Sequence, residues 1–122
     1  MQHLSHLSEA ARSRALPLLG PSTLAGIWND VLVVDVRPEA AALAEPCPIG
    51  SALNVPLSRL EPAAACWPAG LPIVTVSRSG LRAAVGALVL RSMGLPQVGA
   101  LNGTLDELHA AAERTAPQAL EE

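Results

Sequence analysis

The stretch VTVSRSGLRAA, Val74 to Ala84, sets two serines, two arginines and a glycine between an apolar run and an alanine-rich segment. Residues of these types at a strand-to-helix turn can do two things. Unpaired amides at a helix start, together with the helix dipole, attract an anion. Arg78 and Arg82 would reinforce that pull, and Gly80 would allow the tight, left-handed curl it needs. Equally, Ser77 and Ser79 can cap the helix while the arginines face solvent, and spacing alone leaves both readings open. A serine acting as a hydrolytic nucleophile needs a neighbouring base. No histidine falls inside this stretch, and His109 could approach only if the last helix packs over the turn.

The other reactive side chains form no constellation. Cys47 and Cys66 lie apart, in neither a C-x-x-C nor a Cys/His ligand pattern, and read as reduced cysteines near loops. His3, His6 and His109 do not cluster with carboxylates at metal spacing, so neither a metal nor another cofactor is expected.

Around the turn the chain alternates strand and helix. VLVVDV (Val31 to Val36) and LPIVTV (Leu71 to Val76) are continuous apolar runs, the pattern of strands covered on both faces. Shorter strands are expected at Ala52 to Val55, closed by Pro56, and at Gln97 to Leu101. Helices are expected from Pro21 through TLAGIW, over PEAAALAE, from Ser79 to Met93 and over TLDELHAAAER. The third of these carries an apolar stripe of Leu81, Val85, Leu88 and Val89, with Gly94 and Pro96 as its stop. The fold class that follows is α/β: three layers, with helices on both faces of a mainly parallel sheet of about five strands. Ligands of such sheets bind outside the carboxyl ends of the strands, where Ser77 to Arg82 lie. The domain reading is an N-terminal extension over 1–19, expected to be helical, one domain over 20–116, and a frayed acidic tail over 117–122.

Composition narrows the function. The chain has 122 residues, half of them hydrophobic, which suits one core. A net charge of -3 argues against a general nucleic-acid binder, which needs a basic face to displace counterions from phosphates, and with two tryptophans as its only aromatics a base-stacking platform is not expected. No apolar run approaches the roughly 20 residues that span a bilayer, and the first residues lack the apolar stretch of a secretory signal. A cytoplasmic location, with neither nucleic-acid nor membrane partners, is the expectation.

Four stretches between Gly20 and Leu108 together resemble the rhodanese-like domain of sulfurtransferases, a fold shared at greater distance with cell-cycle tyrosine phosphatases. GPSTL resembles the family's S-P-x-x-L helix start, and VVDVRPEAAAL its D-V-R stretch. IGSALNVPL resembles H-I-P-G-A-x-N-I-P-L, with Ile49, Ala52, Asn54, Pro56 and Leu57 in place. PIVTVSRSGLRAAVGALVLRSMGLPQV resembles the family's P-I-V-x-Y-C-R-S-G-x-R segment and the helix after it. The resemblance implies that Ser77, Arg78, Ser79, Gly80, Leu81 and Arg82 form the active-site loop. Ser77 stands where the family has its nucleophilic cysteine, while the loop amides and Arg82 would steady an anionic substrate. The loop has the length found in sulfurtransferases, one residue shorter than in the phosphatases. Asp35, Arg37 and Glu45 are expected to form structural pairs. Pro48 replaces the family's histidine, and the Asn102 to Leu108 ending lacks its tryptophan.

In the family the cysteine takes up a sulfane sulfur as a persulfide and passes it on, and the thiolate is the reacting form. A hydroxyl ionises far less readily and holds no stable sulfur–sulfur bond. Two readings follow. The chain is a rhodanese-like module that binds a small sulfur-containing or other anion without transferring sulfur, serving in binding or regulation with room for a protein partner; or it is a thiosulfate sulfurtransferase whose catalytic cysteine has been exchanged for serine. A reactive thiol relocated to Cys66 has little support, because AACWPAG leads into the amino end of a strand, opposite the expected site.

Overall fold

The two continuous apolar runs lie side by side at the centre of the sheet. The computed structural model describes residues 16–121. In it Leu32–Asp35 (β2) and Ile73–Val76 (β4) pair in parallel, Val33 opposite Val74 and Asp35 opposite Val76. Val98–Leu101 (β5) lies on the other side of β4, and Leu53–Asn54 (β3) on the outer side of β2. A fifth strand, Leu18–Leu19 (β1), completes an all-parallel sheet of order β1-β5-β4-β2-β3.

Alternate strand residues feed two cores. Val34, Val36, Ile73, Val98 and Ala100 face Leu60 and Ala64 of α3 (Leu60–Ala64) and Ala83, Ala87 and Leu90 of α4 (Leu81–Ser92). Val33, Val74, Val76 and Leu101 face Leu24 of α1 (Pro21–Ile27) and Leu105 and Leu108 of α5 (Leu105–Glu121). The remaining helix, α2 (Glu39–Ala44), follows β2 at its carboxyl end. The expected three-layer α/β architecture is present.

Several boundaries differ from the sequence reading. Leu18 and Leu19, assigned to the N-terminal extension, belong to the sheet. They reach it because Gly99 has no side chain: a Cβ there would lie 2.8 Å from Leu19 Cδ1 and 3.0 Å from the Pro17 carbonyl oxygen. The helix expected within residues 1–19 otherwise falls on residues 1–15, outside those described. At the other end, residues 117–121, expected as tail, continue α5 to Glu121. The helix continues through Pro117, and the Gln, Ala, Leu and Glu that follow it favour helical backbone.

The stripe on α4 is also reversed. Leu81, Val85 and Leu88 are exposed, and the helix turns Ala83, Gly86, Ala87 and Leu90 inward. Close approach to the sheet selects the small side, since even a Cβ at Gly86 would sit 3.1 Å from Val36 Cγ1. Among the described residues no helix is long and apolar enough to cross a membrane.

Candidate active-site loop

β4 ends at Val76 and α4 begins at Leu81, so Ser77 to Gly80 must reverse the chain at the carboxyl end of a central strand. Gly80 makes the reversal possible at φ 89°, a left-handed conformation that a Cβ would strain. Three contacts then fix the corner. Thr75 Oγ1 donates to the Ala83 carbonyl at 2.6 Å, tying the helix back to the strand beneath it. The Leu105 amide donates to the Arg78 carbonyl at 3.2 Å, tying the loop to the start of α5. Gly80 itself packs toward the carbonyls of Leu101 and Gly103.

Ser77 lies at the floor of this loop and is 1% exposed. Its Oγ accepts the Ala83 amide at 3.0 Å and the Gly80 amide at 3.3 Å. One atom thus gathers two of the donors that a helix start leaves free, and the positive end of α4 points at it. The Ala84 amide is taken by the Gly80 carbonyl. Those of Leu81 and Arg82 have no partner among the described residues.

The two arginines diverge. Arg78 is half exposed and its Nη2 donates to Glu45 Oε1 across the loop mouth. Arg82 is exposed and lines a cavity of about 460 Å³ with Val36, Pro38, Pro56, Leu57 and Ser58. It makes no hydrogen bond or ion pair with the described residues. Ser79 and Leu81 lie exposed at the rim.

Asp35 and Arg37 form a buried clamp beside the loop. Arg37 Nε and Nη2 donate to the two carboxylate oxygens of Asp35 at 3.0 and 2.8 Å, a fork geometry only arginine supplies. The hydrogen bonds it donates to the Asp35 carboxylate hold the Arg37 guanidinium above its ordinary range. Arg37 Nη2 also donates to the Glu45 carbonyl at 2.8 Å. Glu45 therefore joins this cluster through its backbone, while its carboxylate leaves for Arg78. Asn54 donates to the carbonyls of Asp35 and Arg37, both at 3.0 Å, and so fixes β3 against the end of β2. Its place in the IGSALNVPL stretch was the signal for that role; nothing in the sequence marked Thr75.

His109 does not activate Ser77. The start of α5 does pack on the loop, yet the His109 imidazole stands 3.1 Å from Glu113 and lines a cavity of about 300 Å³ with Glu45, Leu105 and Asp106. Cys47 lines a third cavity, of about 390 Å³, with Asp35 and Asn54. Burial pushes its thiol above the ordinary range, which disfavours the reactive thiolate. Cys66 is exposed, between α3 and the amino end of β4.

Known structures share this architecture. The rhodanese homologue of the thermophilic bacterium Thermus thermophilus is 34% identical, with a TM-score of 0.60 over 75% of this chain and 99% of its own. The chain belongs to the rhodanese-like family. The human single-domain sulfurtransferase, 23% identical, superposes at a TM-score of 0.66 over 76% of this rhodanese-like chain and 95% of its own. The single-domain sulfurtransferase of Saccharomyces cerevisiae does so at 0.66, with 18% identity over 84% and 95%. No protein-family model matches the chain, and no curated protein matches it in sequence.

Proposed function

We propose that this rhodanese-like chain binds a small sulfur-containing or other anion at the Ser77–Arg82 loop and does not itself transfer sulfur. It serves as a binding or regulatory module, working in the cytoplasm, where Cys47 and Cys66 stay reduced. The observation that carries this is the Ser77 oxygen, buried and accepting the amides of Gly80 and Ala83; the resemblance of the SRSGLR stretch to the family's loop matches Ser77 with the reactive cysteine.

Sulfur transfer needs a nucleophile that attacks the outer sulfur of thiosulfate. The sulfur–sulfur bond of thiosulfate breaks, sulfite leaves with the bonding pair, and the new persulfide yields its sulfur to an acceptor such as cyanide. A serine hydroxyl lacks both the ionisation and the affinity for sulfur. The anion-holding half of the machinery needs no thiol. The free amides of Leu81 and Arg82 and the Arg82 side chain supply donors and positive charge at the loop surface.

The test compares this chain with Ser77→Cys. Thiosulfate is expected to bind the unaltered chain at about millimolar Kd, the level of a few hydrogen bonds to a small ligand. Only the cysteine variant is expected to convert thiosulfate and cyanide to thiocyanate. Thiocyanate production by the unaltered chain above that of Arg82→Ala would overturn the reading, as would absence of anion binding.

A further inference from the structure

We infer that Glu45 is a built-in competitor for the anion site and sets its preference for ligand charge. The inference rests on the loop being an anion site, as proposed above. Glu45 follows directly on α2, and its carbonyl is held by Nη2 of the buried Arg37. Asp35 in turn fixes that guanidinium. The backbone of Glu45 is thereby anchored to the least exposed charged pair beside the loop. From this anchor its carboxylate reaches over the loop mouth and takes Nη2 of Arg78.

A carboxylate is chemically an anion of the kind the loop would take from solution. With Glu45 in place, one of the two loop arginines is already neutralised and only Arg82 offers an unshared positive charge. An incoming anion must displace Glu45 from Arg78 or bind beside a negative charge. Displacement costs every ligand the same ion pair, whereas binding beside the carboxylate costs a doubly charged ligand more than a singly charged one, because Coulomb energy scales with the ligand's charge. With its backbone held by Arg37, Glu45 stays in place and imposes the second. The loop as built therefore leans toward monoanions.

The magnitude follows from exposure. Both partners are about half exposed, 52% and 53%, so solvent screens the pair. Exposed ion pairs alter equilibria by about two- to fivefold. Taking about threefold for a monoanion, the same electrostatic change acts twice on a dianion and gives about ninefold. Salt weakens both, since screening falls within about 10 Å at 0.1 M.

The experiment measures the Kd of thiosulfate, a dianion, and thiocyanate, a monoanion, by calorimetry at low salt. The proteins are the full chain, Glu45→Gln, Glu45→Ala, and Asp30→Asn, which removes a charge just before β2, at the amino end of the sheet. Both Glu45 variants keep the carbonyl that Arg37 holds, and equal melting temperatures confirm the fold. Thiosulfate affinity is expected to rise about ninefold and thiocyanate about threefold in both, with Asp30→Asn within about 1.5-fold of the full chain. Equal gains for the two anions, or no gain, overturn the role of Glu45 while leaving the anion site standing. Failure of every protein to bind either anion overturns the site and this inference together.

Discussion

Ser77→Cys asks whether the loop stabilises negative charge, separately from whether it turns over a substrate. A sulfur at this position would receive the Gly80 and Ala83 amides that now meet Oγ at 3.3 and 3.0 Å. Hydrogen bonds to a charged group contribute about 1.5–3 kcal/mol each, and a helix N-terminus adds up to about 2 kcal/mol where partly buried. Burial opposes them: at 1% exposure, losing water costs a thiolate several kcal/mol. The balance is a net stabilisation of about 3 kcal/mol, which at about 1.36 kcal/mol per unit lowers a thiol from about 8.5 to about 6. The pH profile of iodoacetamide alkylation reads this value, in a Cys47→Ser, Cys66→Ser background that leaves one thiol. Linkage gives a second reading. Because the folded state would hold the thiolate more tightly than the unfolded chain, the variant gains about 3 kcal/mol of stability between pH 6 and 8.5 and loses it on acidification through pH 6. An inflection at or above 8.5 would refute the reasoning, for it would mean that burial outweighs the amides and that the loop does not favour anions.

Two further substitutions test the supports of the loop. Asp35→Asn leaves the buried Arg37 guanidinium without a counter-charge, facing one neutral amide oxygen and the carbonyls of Ala41 and Glu45, and urea denaturation should show a loss of about 3–5 kcal/mol; a loss below about 1 kcal/mol would show that neutral acceptors suffice. Gly99→Ala forces a methyl against the Pro17 carbonyl and Leu19, at a cost of about 1–3 kcal/mol. The amides of Ala100 and Asn102, which donate to Pro17 and Leu19, should then exchange faster with solvent than those of β2, and unchanged exchange would show that β1 has another anchor.

What could be read from the sequence divides according to how far apart the deciding residues lie. β2 and β4 declare themselves because a strand buried on both faces needs an unbroken apolar run, and each run carries that information alone. The loop is legible for a similar reason: Ser77, Arg78, Ser79, Gly80 and Arg82 are neighbours, and Gly80 marks the left-handed turn within them. β1 is invisible because its two residues pair only where Gly99, eighty positions later, leaves room. The α4 stripe misleads because the helix is apolar on several sides, so periodicity names no inward face; the choice falls to the fit of Gly86 against Val36, a contact across fifty residues. Glu45 belongs with these distant cases. Its charge and its nearness to Arg37 are plain in the sequence, but its partner, 33 residues away, is decided by where Arg37 pins its carbonyl. A motif can therefore name the atoms proposed to hold an anion while the residue proposed to tune them stays outside it, because its placement depends on the direction in which a neighbouring element ends.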